Sequence, residues 1–203
     1  MHPDLIPGLP IKTYGFCMAL GFLAAWQVLS WLSRRTGRQP EPLSNLLMLM
    51  LFSGIVGARL EYVREFWGEE FAADLLSVFK VWQGGLVFYG GLILAIAVFV
   101  VWCRVRRERM APVADLFVAV IPLAHAFGRV GCFFFGCCYG CRSESACAGA
   151  FPRHSPAWAA QLKDKLIDPS APASLPVLPT QLFEAAALLC LFAALLFIFL
   201  RNW

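Results

Sequence analysis

The sequence predicts an all-α, polytopic membrane protein of about five transmembrane helices, with its N-terminus outside and its C-terminus inside. Three observations carry that reading. Of 203 residues, 60% are hydrophobic and only 15% are charged, a balance outside the range of soluble globular domains. The apolar residues gather into runs near the length that crosses a hydrocarbon core of about 30 Å. The basic residues collect after alternate runs, which is how short cytoplasmic loops are marked.

The runs, in order, are 14–32, 43–63, 84–103, 113–135 and 181–200. Arg34, Arg35 and Arg38 follow the first, Arg104, Arg106, Arg107 and Arg109 follow the third, and Arg201 follows the fifth. Retention of these segments inside leaves the N-terminus and two excursions, about 64–83 and 139–180, on the outer face. The first run has only Lys12 before it, without the basic region and small-residue site of a cleaved signal peptide, so it is expected to be retained. No repeat or low-complexity tract interrupts residues 1–203, which read as a single domain.

The first excursion sets Phe66, Phe71, Leu75, Leu76 and Phe79 at roughly helical spacing among Glu69, Glu70 and Asp74, the pattern of a short interfacial helix. The second holds a weakly amphipathic stretch, 156–167, ahead of a Pro- and Ser-rich loop. Trp67, Trp82, Trp158 and Trp203 fall near the predicted interfaces, where amphipathic rings gather.

An arginine inside a membrane helix costs about 2.5–3.5 kcal/mol on insertion scales, so each one is a candidate functional residue. Arg59 and Arg129 qualify, both toward the outer half of their spans. Arg59 has two plainer readings, snorkelling to the interface or pairing with Glu61. Glycines surround these charges: Gly54, Gly57, Gly84, Gly85, Gly90, Gly91, Gly128, Gly131 and Gly136. They allow close helix packing, and at the start of a helix they expose N–H groups to an anion. The third span starts on the outer face, so a phosphate is the guest these features suggest.

Five segments carry a resemblance: "IKTYGFCMALGF", "GARLEYV", "WQGGLVFYGGLI", "GRVGCFFFGCCYG" and "LPTQLFEA". In this order, from about Lys12 to Ala185, they resemble the prolipoprotein diacylglyceryl transferase family. The resemblance implies a multi-pass enzyme of the bacterial cytoplasmic (inner) membrane with its site toward the outer leaflet. It would transfer the diacylglyceryl group of phosphatidylglycerol, or a related phospholipid, to the lipobox cysteine of a prolipoprotein peptide, forming a thioether and releasing glycerol 1-phosphate. Membrane lipids are the remaining partners; no nucleic acid, metal or organic cofactor is implied. Tyr14 and Arg129 match the family's tyrosine and signature arginine, and Arg59 matches the arginine of "GARL". The resemblance, with the charges, assigns both arginines to phospholipid binding together with Gly84, Gly85, Gly90, Gly91, Gly128 and Gly131.

The chain also departs from that pattern. Tyr89 stands where the family commonly has a histidine, Cys132 and Cys137 replace an asparagine and a glutamate, and the family usually continues past this chain's last residues. Candidates for the catalytic groups are therefore Tyr14, Arg129, Tyr89, Glu184 and His125, the last one helical turn from Arg129; His154 in the outer loop is a further possible base. Cys17, Cys103 and Cys190 are scattered in spans as small apolar residues. Cys132, Cys137, Cys138, Cys141 and Cys147 cluster at the outer end of the fourth span, and in an oxidising compartment they are expected to form one or two disulfides rather than a metal site. Two other readings stay open: a non-catalytic, lipid-binding paralogue, and a cysteine-based membrane redox protein built on "CxxC" at Cys138 and Cys141.

Overall fold

The structure is a computed structural model that describes residues 13–71, 74–81 and 84–202; Lys12, Trp82, Trp203 and the side chain of Glu69 lie outside the described set. The helices in chain order are α1 (Thr13–Arg35), α2 (Pro40–Glu65), α3 (Phe88–Val105), α4 (Met110–Phe135), α5 (Pro156–Lys163) and α6 (Thr180–Asn202). All but α5 are long and apolar enough to cross a membrane, as expected of a multi-pass membrane protein. No strand forms among the described residues; the loop before α6 carries only isolated antiparallel bridges, among them Arg142 to Val177 and Pro152 to Ala173.

The described chain divides into two compact units, Leu29–Leu116 and the combination of Met1–Val28 with Phe117–Trp203, so the boundary falls within α1 and α4.

In the unit Leu29–Leu116, α2 packs along α3 through glycine. A Cβ on Gly91 would lie 2.6 Å from the Gly54 carbonyl oxygen, and one on Gly57 would run into the Gly90 backbone. Gly90 and Gly91 thus serve the helix contact that small residues permit in membranes. The third span begins four residues later than its apolar run, at Phe88, because Gly84 and Gly85 take φ of +92° and +75° and cannot belong to a right-handed helix. At the other end of this unit, Arg38 pairs with Glu108 at 2.9 Å, bringing the loop after α1 and the loop after α3 together. Two of the three basic segments therefore share one end of the unit, as the charge pattern requires.

The first excursion is not the single helix its spacing predicts. A π-helical turn, Trp67–Phe71, runs on from α2, and a separate 3-10 turn, Leu75–Phe79, is capped by Asp74, whose Oδ1 accepts from Leu76 N at 3.1 Å. The apolar residues split accordingly: Phe71 is 1% exposed, whereas Leu75, Leu76 and Phe79 are open. The physical reason is Arg59, which draws in the carbonyls of Ser77 and Val78 and so fixes the second turn against α2.

In the other unit, α4 continues through Pro122 and ends at Phe135. The long loop after it has its own small core of Phe151, Ala157 and Val177, against which Phe133 and Tyr139 pack. Ser155 caps α5 by accepting from Trp158 N at 3.2 Å, and α5 stops at Lys163, short of the predicted amphipathic stretch. Trp158 is a correction to the interfacial expectation: it is buried, and its Nε1 donates to the Ala171 carbonyl at 2.9 Å. Its indole closes the loop, while Trp67 is exposed.

Candidate active site

Arg59 is buried on α2, and its guanidinium is met by backbone. Nε donates to Val78 O at 2.9 Å, Nη1 to Gly84 O at 2.8 Å and Gly85 O at 3.0 Å, and Nη2 to Ser77 O at 2.6 Å. Those four bonds engage all but one of the five N–H donors a guanidinium carries. The rings of Tyr62 and Phe71 lie 5.4 and 5.2 Å from its carbon, within cation–π range. Neither plain alternative holds: Arg59 is not snorkelling, and Glu61 pairs with Arg64 at 2.6 Å instead. The glycine-rich entry to α3 differs from expectation too, since Gly84 and Gly85 turn carbonyl oxygens, not N–H groups, toward this charge. A cavity of about 360 Å³ lies here, lined by Arg59, Tyr62, Glu70, Phe71, Gly84 and Gly85. An anion entering it would have to displace carbonyls from Arg59.

Arg129, in the last turns of α4, is held far more loosely. Its Nη2 lies 2.8 Å from Glu184 Oε1 on the first turn of α6, with the two side chains 25% and 41% exposed. Its Nε is buried and has no hydrogen-bond partner among the described residues. Glycine sets the third side of this cluster. A Cβ on Gly131 would fall 3.1 Å from Tyr14 Cδ2 and 3.2 Å from Cys17 Cβ, so α1 reaches α4 there because no side chain intervenes, and Gly128 meets Met18 Sδ in the same way. Tyr14 is thereby held on the Arg129 face, within electrostatic reach of Arg129 and of Cys132, Cys137 and Cys138.

The chain just past α4 folds back sharply. Gly136 and Cys138 take φ of +80° and +56°, and the N–H groups of Gly136 and Cys137 both return to Cys132 O, at 2.9 and 3.2 Å. This closes the helix end and brings the sulfurs of Cys132, Cys137 and Cys138 within 4.8 Å of one another. Burial pushes the Cys137 thiol above its ordinary range, so it is protonated at neutral pH. No disulfide joins the cysteines in the structure, where all eight are free. Cys141 and Cys147 are exposed and stand outside the sulfur cluster.

Two residues that sequence reasoning passed over hold this turn. Thr180 Oγ1 donates to Cys138 O at 3.0 Å, and Gln181 Nε2 donates to Cys137 O at 2.6 Å. Gln181 is fully buried, and its Oε1 is without a partner among the described residues. The signal was the polar pair at the mouth of an apolar span in "PTQLFEA", but the bonds join residues 42 and 44 positions apart.

The other candidate bases are not brought to this cluster. His125 is exposed and makes no hydrogen bond with a described residue, although it precedes Arg129 by one turn. Tyr89 is 70% exposed, its ring set edge-on to Phe88 at 5.7 Å. His154 takes φ of +67°, stacks 5.3 Å from Trp158 and lines a cavity of about 410 Å³ with Phe134, Phe135 and Arg153.

Residues 4–203 match the family model described as prolipoprotein diacylglyceryl transferase. Among curated proteins, the chain is 33% identical over 181 residues to phosphatidylglycerol--prolipoprotein diacylglyceryl transferase 2 of Clostridium perfringens, which covers 88% of this chain and 64% of the relative. It is 32% identical over 187 residues to the phosphatidylglycerol--prolipoprotein diacylglyceryl transferase of Xanthomonas oryzae pv. oryzae, covering 87% and 62%. Against the enzyme of the same name from Clostridium tetani it is 29% identical over 178 residues, covering 88% and 65%. The chain thus spans slightly less than two thirds of the length of these relatives. The chain belongs to the prolipoprotein diacylglyceryl transferase family.

Proposed function

We propose that this family member transfers the diacylglyceryl group of phosphatidylglycerol to the lipobox cysteine of a prolipoprotein, at the outer leaflet of the bacterial cytoplasmic membrane. The observation that carries the reading is Arg129: a charge on an apolar helix, paired to one half-exposed carboxylate and with a buried, unpartnered Nε. A buried donor left without an acceptor costs about 1–3 kcal/mol, and an incoming phosphate oxygen would remove that cost. Tyr14 beside it adds a phenolic O–H donor to the same anion.

The chemistry then runs as a displacement at carbon. The acceptor thiol sulfur bonds to the glyceryl carbon that bears the phosphate, the C–O bond breaks with its electron pair going to the phosphate oxygen, and glycerol 1-phosphate leaves. Arg129 stabilises the charge that grows on that oxygen, where a charge-assisted, two-pronged contact is strongest. The phosphate competes with Glu184 for the guanidinium, so lipid binding frees the Glu184 carboxylate at the moment a base is needed. Glu184 takes the thiol proton.

Arg129→Gln tests this directly. Folded variant protein in detergent should lose transfer of labelled diacylglycerol to a lipobox peptide by about 100-fold or more, and Arg129→Lys should recover part of it, since one ammonium replaces a fork. Activity within about twofold of the parent in Arg129→Gln would remove the assignment. The outer-leaflet placement has its own check: single cysteines introduced at 74–79, in a background lacking the native ones, should react with an impermeant maleimide on intact cells. Reaction only after permeabilisation would put this loop inside.

A further inference from the structure

We propose that Cys132, Cys137 and Cys138 form a binding site for a thiophilic divalent cation of the zinc(II) class. It stands beside Arg129 but does not require that the chain carries out the transfer. Three sulfurs, not two, converge within 4.8 Å at the end of α4. A disulfide would use two of them and leave the third without a role. Three thiolates on one tetrahedral zinc, with Zn–S about 2.3 Å, need sulfur separations of about 3.8 Å, and the observed sulfurs all lie within 4.8 Å of one another.

The backbone is shaped to hold that cluster. Cys138 sits in the left-handed region at φ +56°, a conformation that costs a non-glycine residue roughly 1–3 kcal/mol and persists where surrounding contacts impose it. Here they do: the successive carbonyls of Cys137 and Cys138 are each tied to α6, by Gln181 and Thr180. The same turn places the Cys137 and Cys138 side chains back over Cys132.

The cluster is also braced from the side of α6 by a buried amide. Gln181 is 0% exposed, its amide nitrogen is bound to the Cys137 carbonyl, and its Oε1 faces no donor. Gln181 thus braces the Cys137 end of the cluster through the backbone, which keeps the three sulfurs converged. Cys132 and Cys137 are half-buried and Cys138 is exposed, which leaves one side of the cluster for the ion to enter. On binding, each thiol gives up its proton as the metal–sulfur bond forms, so one zinc releases three protons and the site carries one net negative charge. Arg129, in electrostatic contact with Cys132, opposes that charge.

The test uses the whole chain, reduced, in detergent micelles under argon, with zinc(II) or cobalt(II) alone as probe. One equivalent of zinc should protect three thiols from alkylation, peptide mapping should identify them as Cys132, Cys137 and Cys138, and cobalt(II) should give sulfur-to-metal charge-transfer absorption displaced by zinc. Cys132→Ser and Cys137→Ser should each weaken zinc binding at least about tenfold, while Cys190→Ser, on the exposed face of α6, should leave it unchanged. Since a serine variant can also disturb the turn, the alkylation map of the unmodified chain decides independently. No protection by zinc, protection confined to Cys141 and Cys147, or a disulfide joining two of the three after mild oxidation with zinc present would each overturn the proposal.

Discussion

Arg59 and Arg129 are two arginines on apolar helices, at similar predicted depth, and the chain treats them in opposite ways. Arg59 is 7% exposed and gives four N–H groups to four carbonyls; Arg129 meets a single carboxylate and keeps an unpartnered Nε. The first is complete without a ligand. The second is not. An intramembrane charge is therefore read as a binding group from what its donors lack, not from its position in the span. Arg59 organises backbone, since it fixes the 3-10 turn and the glycine entry to α3, whereas Arg129 keeps a donor that no described residue uses.

The largest effect that would break this comparison is on stability. Arg59→Leu takes the donor away from four part-buried carbonyl oxygens, and each one that water does not reach costs about 1–3 kcal/mol, so a loss of about 3 kcal/mol is expected. Thermal unfolding in detergent should show it as a clear fall in midpoint or as failure to accumulate folded protein. Arg59→Lys keeps the charge but offers three donors from one nitrogen, and should recover only part. A variant Arg59→Leu as stable as the parent, but inactive, would make Arg59 a ligand group after all and erase the contrast.

Next in size is the separation of binding from chemistry at Glu184. If the lipid phosphate displaces this carboxylate from Arg129, Glu184→Gln removes a competitor and a base together. Phosphatidylglycerol should bind as well as before or more tightly, while turnover at saturating lipid falls about 100-fold, the low end of the effect of removing a general base. Arg129→Gln, in contrast, should impair both. Equal losses of lipid affinity in the two variants would show that the ion pair acts as one structural unit and that neither partner is released.

What the sequence made legible, and what it did not, divides along a physical line. Crossing a hydrocarbon core imposes about 20 apolar residues whatever the neighbours do, so all five long helices were readable to within four residues at each end. The start of α3 was the largest error because Gly84 and Gly85, apolar by composition, take left-handed backbone. The excursion at 66–79 was misread because spacing cannot register that Arg59, up to 19 positions earlier, claims the carbonyls of Ser77 and Val78. At the site, Arg129, Tyr14 and Glu184 were visible as residue types in motifs, and the gathering of all three on one cluster rests on the bare Gly131 surface. Gln181 and Thr180 escaped notice because they bind backbone oxygens, which every residue has and no sequence pattern marks.

The smallest expected effect sharpens the comparison from the side of α3. Tyr89 stands at the position of a histidine in the family pattern, which made it a candidate for the missing base. Its side chain is 70% exposed, packs edge-on to Phe88, and forms no hydrogen bond with any described residue, so its hydroxyl has nothing to orient it. A proton acceptor has to be held within hydrogen-bond reach of the proton it takes. Tyr89→Phe keeps the ring and its contact with Phe88 while deleting only the oxygen, so the proposed transfer should stay within about twofold of the parent chain. A loss of tenfold or more, in protein with unchanged thermal stability, would mean that the Tyr89 hydroxyl meets the substrate, and the base would then have to be sought on α3 and not at Glu184.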